Sequence, residues 1–296
     1  MEALLVVSRL CHYLAAMILC GSLSTVGYLV APLPPASQKR VYSRLLQVHR
    51  LAVVTALVSA ILWLIAVAGG IGDGWNDALN PAFVGMVLAD TAFGAIWRWR
   101  LLLYGLIAAL MLMRPPAGVF LASLVTVGLV TIALTGHSAA NAGMSGILQG
   151  SFDAIHLVTG AVWIGGLVPL ILALGIPEGI RRTVNRFSMI ASLAVFLVVA
   201  SGTINAWFLI GSPRDLVTTT YGQLLSLKVI LVALMVILAV LNRFWITPRY
   251  SRDPVRAARH LRITIGLELA LALIVLVLVA VFGTMSPPEH GTGASS

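Results

Sequence analysis

Charge is what this sequence has least of. Its 296 residues include 19 Lys and Arg and 10 Asp and Glu, 10% in all, where a soluble domain carries about 25%. So few ionised side chains cannot cover a water-facing surface, which excludes a soluble globular enzyme. Cysteine is nearly absent as well. Cys11 and Cys20 stand nine positions apart in one apolar run, at different heights of a single helix, so a disulfide between them is excluded while that helix is intact. The sequence has no Gly-Lys phosphate loop, no His-Glu-x-x-His pair and no Gly-x-Ser-x-Gly elbow, and no stretch that fits a nucleotide domain, which excludes an ATP-driven pump. Its 27 Gly and 13 Pro follow no fixed period, so it is not collagen-like. The net charge of +9 would suggest nucleic acid in a soluble protein. In a membrane protein it marks cytoplasmic loops, and no nucleic-acid partner is expected.

What is present is lipid-compatible surface: 59% hydrophobic residues and a mean hydropathy of +1.01. Eight apolar runs reach the roughly 17–25 residues that a spanning helix needs, at about 4–31, 49–70, 96–113, 117–136, 152–175, 188–211, 222–246 and 261–283. The expected fold is an all-α integral membrane protein, a bundle of about eight transmembrane helices in one domain, 1–283, with a short polar tail, 284–296. The first run is read as a retained helix, because no charged segment precedes it and Arg9 and His12 interrupt it. Residues 81–96 read as an interfacial or re-entrant helix, weakened as a span by Asp90.

Fourteen of the 19 basic residues fall in four alternate loops, among them Lys39, Arg40, Arg44, Arg50, Arg181, Arg182 and Arg186 and the run Arg243 to Arg262. By the positive-inside rule both termini then face outward, which in a bacterium means the periplasm.

That topology sorts the six histidines. His12, His137, His156 and His290 belong to the outer side, and His49 and His260 to the inner side beside Arg residues. His12 and His156 fall roughly 6–12 Å below the outer mouths of their spans at a rise of about 1.5 Å per residue. Imidazoles at that depth are expected to face the bundle, since an unsatisfied polar group in lipid costs several kcal/mol. Met17, Met144 and Met285 fall near the same level, with Met86 in the second outer loop. Imidazole suits Cu(II) and thioether suits Cu(I), so together they make a copper ligand set. Taken singly, each of these Met is more simply a core filler and each His a hydrogen-bonding strut; the cluster carries the reading. Asp153 lies three positions before His156 on the same helical face and can orient the ring or favour a helix N-terminus. His156, Gly160 and Trp163 form one stripe. Lys228 and Glu268 are intramembrane ionisable groups, read as parts of an ion or proton path. They are expected about 10 Å apart along the membrane normal, which disfavours a direct pair; Lys228 can otherwise snorkel to the headgroups.

Several segments carry a family resemblance: Thr135-Gly136-His137-Ser138, Asp153 with His156, Val162-Trp163 with Gly165-Gly166-Leu167, and Ser201-Gly202-Thr203 with Asn205 and Trp207. To these are added Thr220-Tyr221-Gly222 with Lys228, Asn242-Arg243, Thr247-Pro248, and Met285-Ser286-Pro287-Pro288-Glu289-His290. In this order they resemble the CopD family of copper resistance membrane proteins, most clearly from about residue 120 onward. The resemblance implies a multi-pass bacterial inner-membrane protein of copper uptake or homeostasis, served by a separate periplasmic copper chaperone of the CopC type. The first reading is a copper transporter that captures Cu(I) or Cu(II) through His137, His156 and His12, with Met144, Met285 or His290. Two alternatives stand beside it. One is a b-type haem redox protein, for example a cupric reductase, with His12 or His137 paired to His156 outside and His49 with His260 inside. The other is a copper sensor or chaperone-docking scaffold.

Overall fold

The computed structural model describes residues 1–113, 118–135, 143–210 and 212–285. Eight of its helices are long and apolar enough to cross a membrane, and the described residues contain no strand. In chain order the helices are α1 (Glu2–Val30), α2 (Pro35–Ile71), α3 (Trp75–Ala78), α4 (Pro81–Asp90), α5 (Ala92–Met113) and α6 (Gly118–Val130). They continue with α7 (Gly143–Ala173), α8 (Ile180–Leu209), α9 (Asp215–Thr218), α10 (Thr220–Leu241) and α11 (Pro254–Phe282). Helix α6 runs on through a 3₁₀ turn at Ala133–Thr135. Helix α10 continues through a π-helical turn, Asn242–Ile246, and a 3₁₀ turn, Thr247–Ser251.

The boundaries follow local chemistry. Pro35, Pro81 and Pro254 occupy first turns, where the missing N–H costs no helical bond. The Asn80 side chain accepts from Ala82 N at 3.0 Å, the Thr219 hydroxyl from Gly222 N at 3.0 Å, and the Asp253 carboxylate from Arg256 N at 3.0 Å, each satisfying an orphan donor. The segment 81–96 is split in two. Thr91 is extended, and its hydroxyl accepts from Gly94 N at 2.9 Å, so α4 stops at Asp90 and α5 starts a new helix.

Helices α2, α7, α8 and α11 start seven or more residues before their apolar runs do. Helix α2 has 37 residues, about 55 Å at 1.5 Å per residue, longer than the roughly 30 Å hydrocarbon layer. Lys39, Arg40, Arg44 and Arg50 therefore ride on its first turns, not in a loop. Helix α7 likewise begins at Gly143.

Helix α1 is the hub, packed on α2, α6, α7 and α11. Its crossing with α7 is the tightest in the bundle. A side chain on Gly21 would run into the Ala161 carbonyl, and one on Gly165 into the Met17 carbonyl, so the two backbones touch as small residues allow in membranes. Two apolar clusters meet there. One joins α1, α2, α5 and α6 around Trp63, Trp97 and Tyr104, and the other joins the far halves of α1 and α7 to α8, α10 and α11. Cys11 and Cys20 are free thiols.

Candidate functional site

The polar groups of the second half gather along α7. On the side of the bundle where α1 begins and α11 ends, a cavity of about 370 Å³ is lined by Arg9, Gln149, Asp153, His156, Asn205, Tyr221 and Lys228, among others. His156 is held firmly in it. Its Nδ1 lies 3.1 Å from the Val198 carbonyl and 3.3 Å from Ser201 Oγ. Since a carbonyl only accepts, Nδ1 carries the proton and the Nε2 lone pair is left for another partner. The Ser201 hydroxyl donates to the Leu197 carbonyl at 2.5 Å and so presents its lone pairs to the ring. Gly202 makes the fit feasible, because a Cβ there would stand 3.0 Å from His156 Cε1. Asp153 lies on the same face one turn earlier. Lys228 is within electrostatic reach of both Asp153 and His156, with its ammonium 5.8 Å from the Phe282 ring centre. Arg9 donates to the Gly283 carbonyl at 2.6 Å and closes the rim.

Two further cavities continue this one. A space of about 150 Å³ is lined by Tyr13, Met17, His156, Gly160, Trp163, Lys228 and Met235. His156, Tyr13 and Lys228 belong to both the first and the second space. Trp163 belongs to the second and to a third space, of about 380 Å³, at the opposite end of the bundle. There Glu268, 1% exposed, accepts from Asn242 Nδ2 at 2.6 Å, while Asn242 Oδ1 accepts from the Thr264 hydroxyl at 2.6 Å. Arg243 donates to the Ser188 carbonyl at 2.9 Å and to the Ser192 hydroxyl at 2.9 Å. Glu268 makes no ion pair with a described residue, so Lys228 and Glu268 sit in different cavities and stay apart.

His12 is placed differently. Its Nδ1 donates to the Ala56 carbonyl at 2.9 Å, and its ring meets Trp63, Tyr104 and Trp97 with centroids 5.9, 5.0 and 6.5 Å away. Beside it Arg100 is fully buried, 4.1 Å above the Trp97 ring, and donates to Thr131 O and Thr131 Oγ1. His12 lines none of the three cavities. The reason lies in the helical period: Tyr13 and Met17 are i, i+4 neighbours on the stripe that lines the middle cavity, and His12 is turned off that stripe toward Ala56 of α2.

The remaining predicted residues also separate. His49 is buried, its Nε2 2.7 Å from Ser22 Oγ. Because that hydroxyl donates to the Ile18 carbonyl, it accepts from the imidazole, and His49 struts α2 to α1. His260 is exposed, so the two inner histidines are not a facing pair. Met144 is 71% exposed. Met285 is half-buried just past α11, and Met86 is exposed. His137 and His290 lie outside the described residues, among which no group of three or more His, Cys, Asp or Glu converges as a metal site. Neither His12 with His156 nor His49 with His260 forms the facing imidazoles that a bis-His haem slot needs.

Sequence reasoning missed Met235 and Arg100. The first was legible in principle, since Met235 lies seven positions after Lys228 as Trp163 lies seven after His156, each pair on one helical stripe. Arg100 stands near the start of an apolar run, and nothing local announces its aromatic cage.

Comparison with known proteins places this arrangement. Residues 1–147 match the model described as copper resistance protein D-like, N-terminal domain, and residues 181–282 match copper resistance protein D. Inner membrane protein YebZ of Escherichia coli (strain K12) is 34% identical over 287 residues, covering 94% of this chain and 97% of that one. The chain belongs to the copper resistance protein D family. Copper resistance protein D of Pseudomonas syringae pv. tomato is 33% identical over 255 residues, 80% of this chain and 81% of the relative. Copper transport protein CutJ of Bacillus subtilis (strain 168) is 32% identical over 237 residues, 74% of this chain but 41% of its own. No solved structure matches. The family bond makes this a copper-related membrane protein of eight candidate spans, and the stretch 148–180, which holds Asp153, His156 and Trp163, falls between the two family matches.

Proposed function

We propose that this chain takes up copper across the bacterial inner membrane, receiving the ion at the cavity of His156 and passing it along α7 toward the cavity of Glu268. The observation that carries the reading is the series of three cavities joined by shared walls, with His156 common to the first two and Trp163 to the last two. The similar proteins named for copper resistance and copper transport support the cargo, and the one named an inner membrane protein supports the location.

In this reading both chain ends face the periplasm, as the basic residues at the opposite helix ends favour. A periplasmic copper carrier of the CopC type would release its ion at the rim formed by Arg9 and Gly283. Met285 and His290, which follow Gly283 in the chain, and His137, two positions after the cavity-lining Thr135, would be first contacts. His156 then offers Nε2, with Nδ1 anchored to the Val198 carbonyl so that the ring cannot turn away. Asp153 offsets the Lys228 charge, which would otherwise repel a cation at the imidazole.

The test is copper accumulation by cells that carry the chain with His156→Ala, at matched membrane levels of protein. Accumulation should fall to that of cells without the protein. Unchanged accumulation by the variant would overturn the assignment.

A further inference from the structure

The middle cavity has a donor set unlike those of its neighbours. Where the outer space is ringed by charged and amide side chains and the inner one by Glu268, Asn242 and Arg243, this one has an imidazole, two thioethers, a phenol, an ammonium and otherwise apolar walls. Met17 is 6% exposed and Met235 2% exposed. Helix α7 is shaped to admit the first of them: a Cβ on Gly160, one turn beyond His156, would stand 3.3 Å from Met17 Cε. Met235 comes from α10, two turns along the stripe from Lys228. Three helices thus bring one nitrogen and two sulfur donors to a space of about 150 Å³.

We infer that this space is a buried Cu(I) station, with His156 Nε2, Met17 Sδ and Met235 Sδ as ligands. The inference rests on the copper reading above and adds the oxidation state, the ligand set and the depth at which the ion rests.

Three physical points converge on it. Thioethers are soft donors that select Cu(I) over Cu(II). The desolvation cost of an ion rises with the square of its charge, so a divalent ion in this apolar space would cost about four times as much as a monovalent one, with no carboxylate lining it to compensate. Among the described residues the one cation lining the space is Lys228, whose charge Asp153 faces from the outer cavity. A monovalent ion on neutral ligands is what that balance tolerates. Only Trp163 lies in the walls of both this space and the inner one, so the indole stands where an ion moving onward would have to pass.

The experiment is an anaerobic competition titration of detergent-purified full chain with Cu(I), kept reduced by ascorbate, against a chromophoric Cu(I) chelator. It compares the unaltered chain, the Met17→Leu/Met235→Leu double variant and His156→Ala, with Cu(II) titrated in parallel. Leucine keeps volume and apolarity, so the double variant removes sulfur with little disturbance of packing. The expected result is a loss of Cu(I) affinity of at least about tenfold in the double variant with Cu(II) binding unmoved, and loss of Cu(I) binding in His156→Ala. Cu(I) affinity unchanged in the double variant but lost in His156→Ala would overturn the thioether station and leave the copper reading standing. Copper binding and cellular accumulation unchanged in His156→Ala would overturn both. A second measurement needs no substitution: with methionine replaced by selenomethionine in the unaltered chain, copper X-ray absorption should acquire a Cu–Se shell, and its absence overturns the station.

Discussion

His12 and His156 lie on two helices that touch, yet the two halves of the bundle surround them oppositely. In the first half, α1, α2, α5 and α6 close around His12 with Trp63, Trp97 and Tyr104, and the neighbouring cation is the buried Arg100. In the second half, α7, α8, α10 and α11 leave His156 on the walls of two cavities, and the nearest cation, Lys228, faces a carboxylate. Both imidazoles bind a backbone carbonyl through Nδ1, so hydrogen bonding does not distinguish them. Surroundings do: the His12 ring is enclosed by aromatic rings and a guanidinium, and the His156 ring lines two cavities. Residue type alone therefore does not decide which imidazole lines a cavity.

That contrast can be broken most severely at its hinge. Gly165→Val drives a side chain into the α1 backbone at Met17 and should destabilise the whole bundle by more than about 3 kcal/mol, read as a collapsed melting temperature in detergent. Normal melting would mean that the α1–α7 crossing is looser than drawn here.

Next in size is His12→Ala, which empties a site packed by three rings and should cost about 2–3 kcal/mol while leaving copper uptake intact per folded molecule. Lost uptake at normal stability would place His12 in the metal path after all. His156→Ala should do the reverse, lowering stability by only about 1 kcal/mol, the net worth of one hydrogen bond, and removing copper uptake.

Ligand linkage sharpens the same pair. Cu(I) at 100 times its dissociation constant should stabilise the unaltered chain and the His12→Ala variant by about 2.7 kcal/mol, and the His156→Ala variant not at all, as followed by thermal unfolding with and without the ion. The smallest effect belongs to Ser22→Ala, which removes the acceptor of the His49 strut. A membrane interhelical hydrogen bond averages about 0.6 kcal/mol, so a slight drop in melting temperature with unaltered uptake is expected.

Much of the candidate site could be read before the fold was known. The His156, Gly160 and Trp163 stripe, Asp153 one turn earlier, and Lys228 as an intramembrane charge all line the three cavities. What could not be read was partnership. Met235 shares a helical stripe with Lys228, but nothing local shows that the stripe meets Met17 and His156 across two other helices, and Arg100 stands near the start of an apolar run with Thr131 and the Trp97 face brought to it from elsewhere in the chain. Helix ends were legible to within a few residues except at the starts of α2, α7, α8 and α11, where polar residues carry the helix beyond its apolar run.

The sequence by itself determined eight helices long and apolar enough to span, because lipid demands a run of about 20 apolar residues whose backbone bonds close within the segment, and both are local properties. It also determined which helix ends are basic. Only the tertiary structure decided which histidine meets a cavity and which meets an aromatic cage. That choice depends on how α1 is rotated when Gly21 and Gly165 let it rest on α7, a contact between residues 144 positions apart. At that crossing Met17 meets Gly160 and Gly165 of α7, and His12 meets Ala56 of α2.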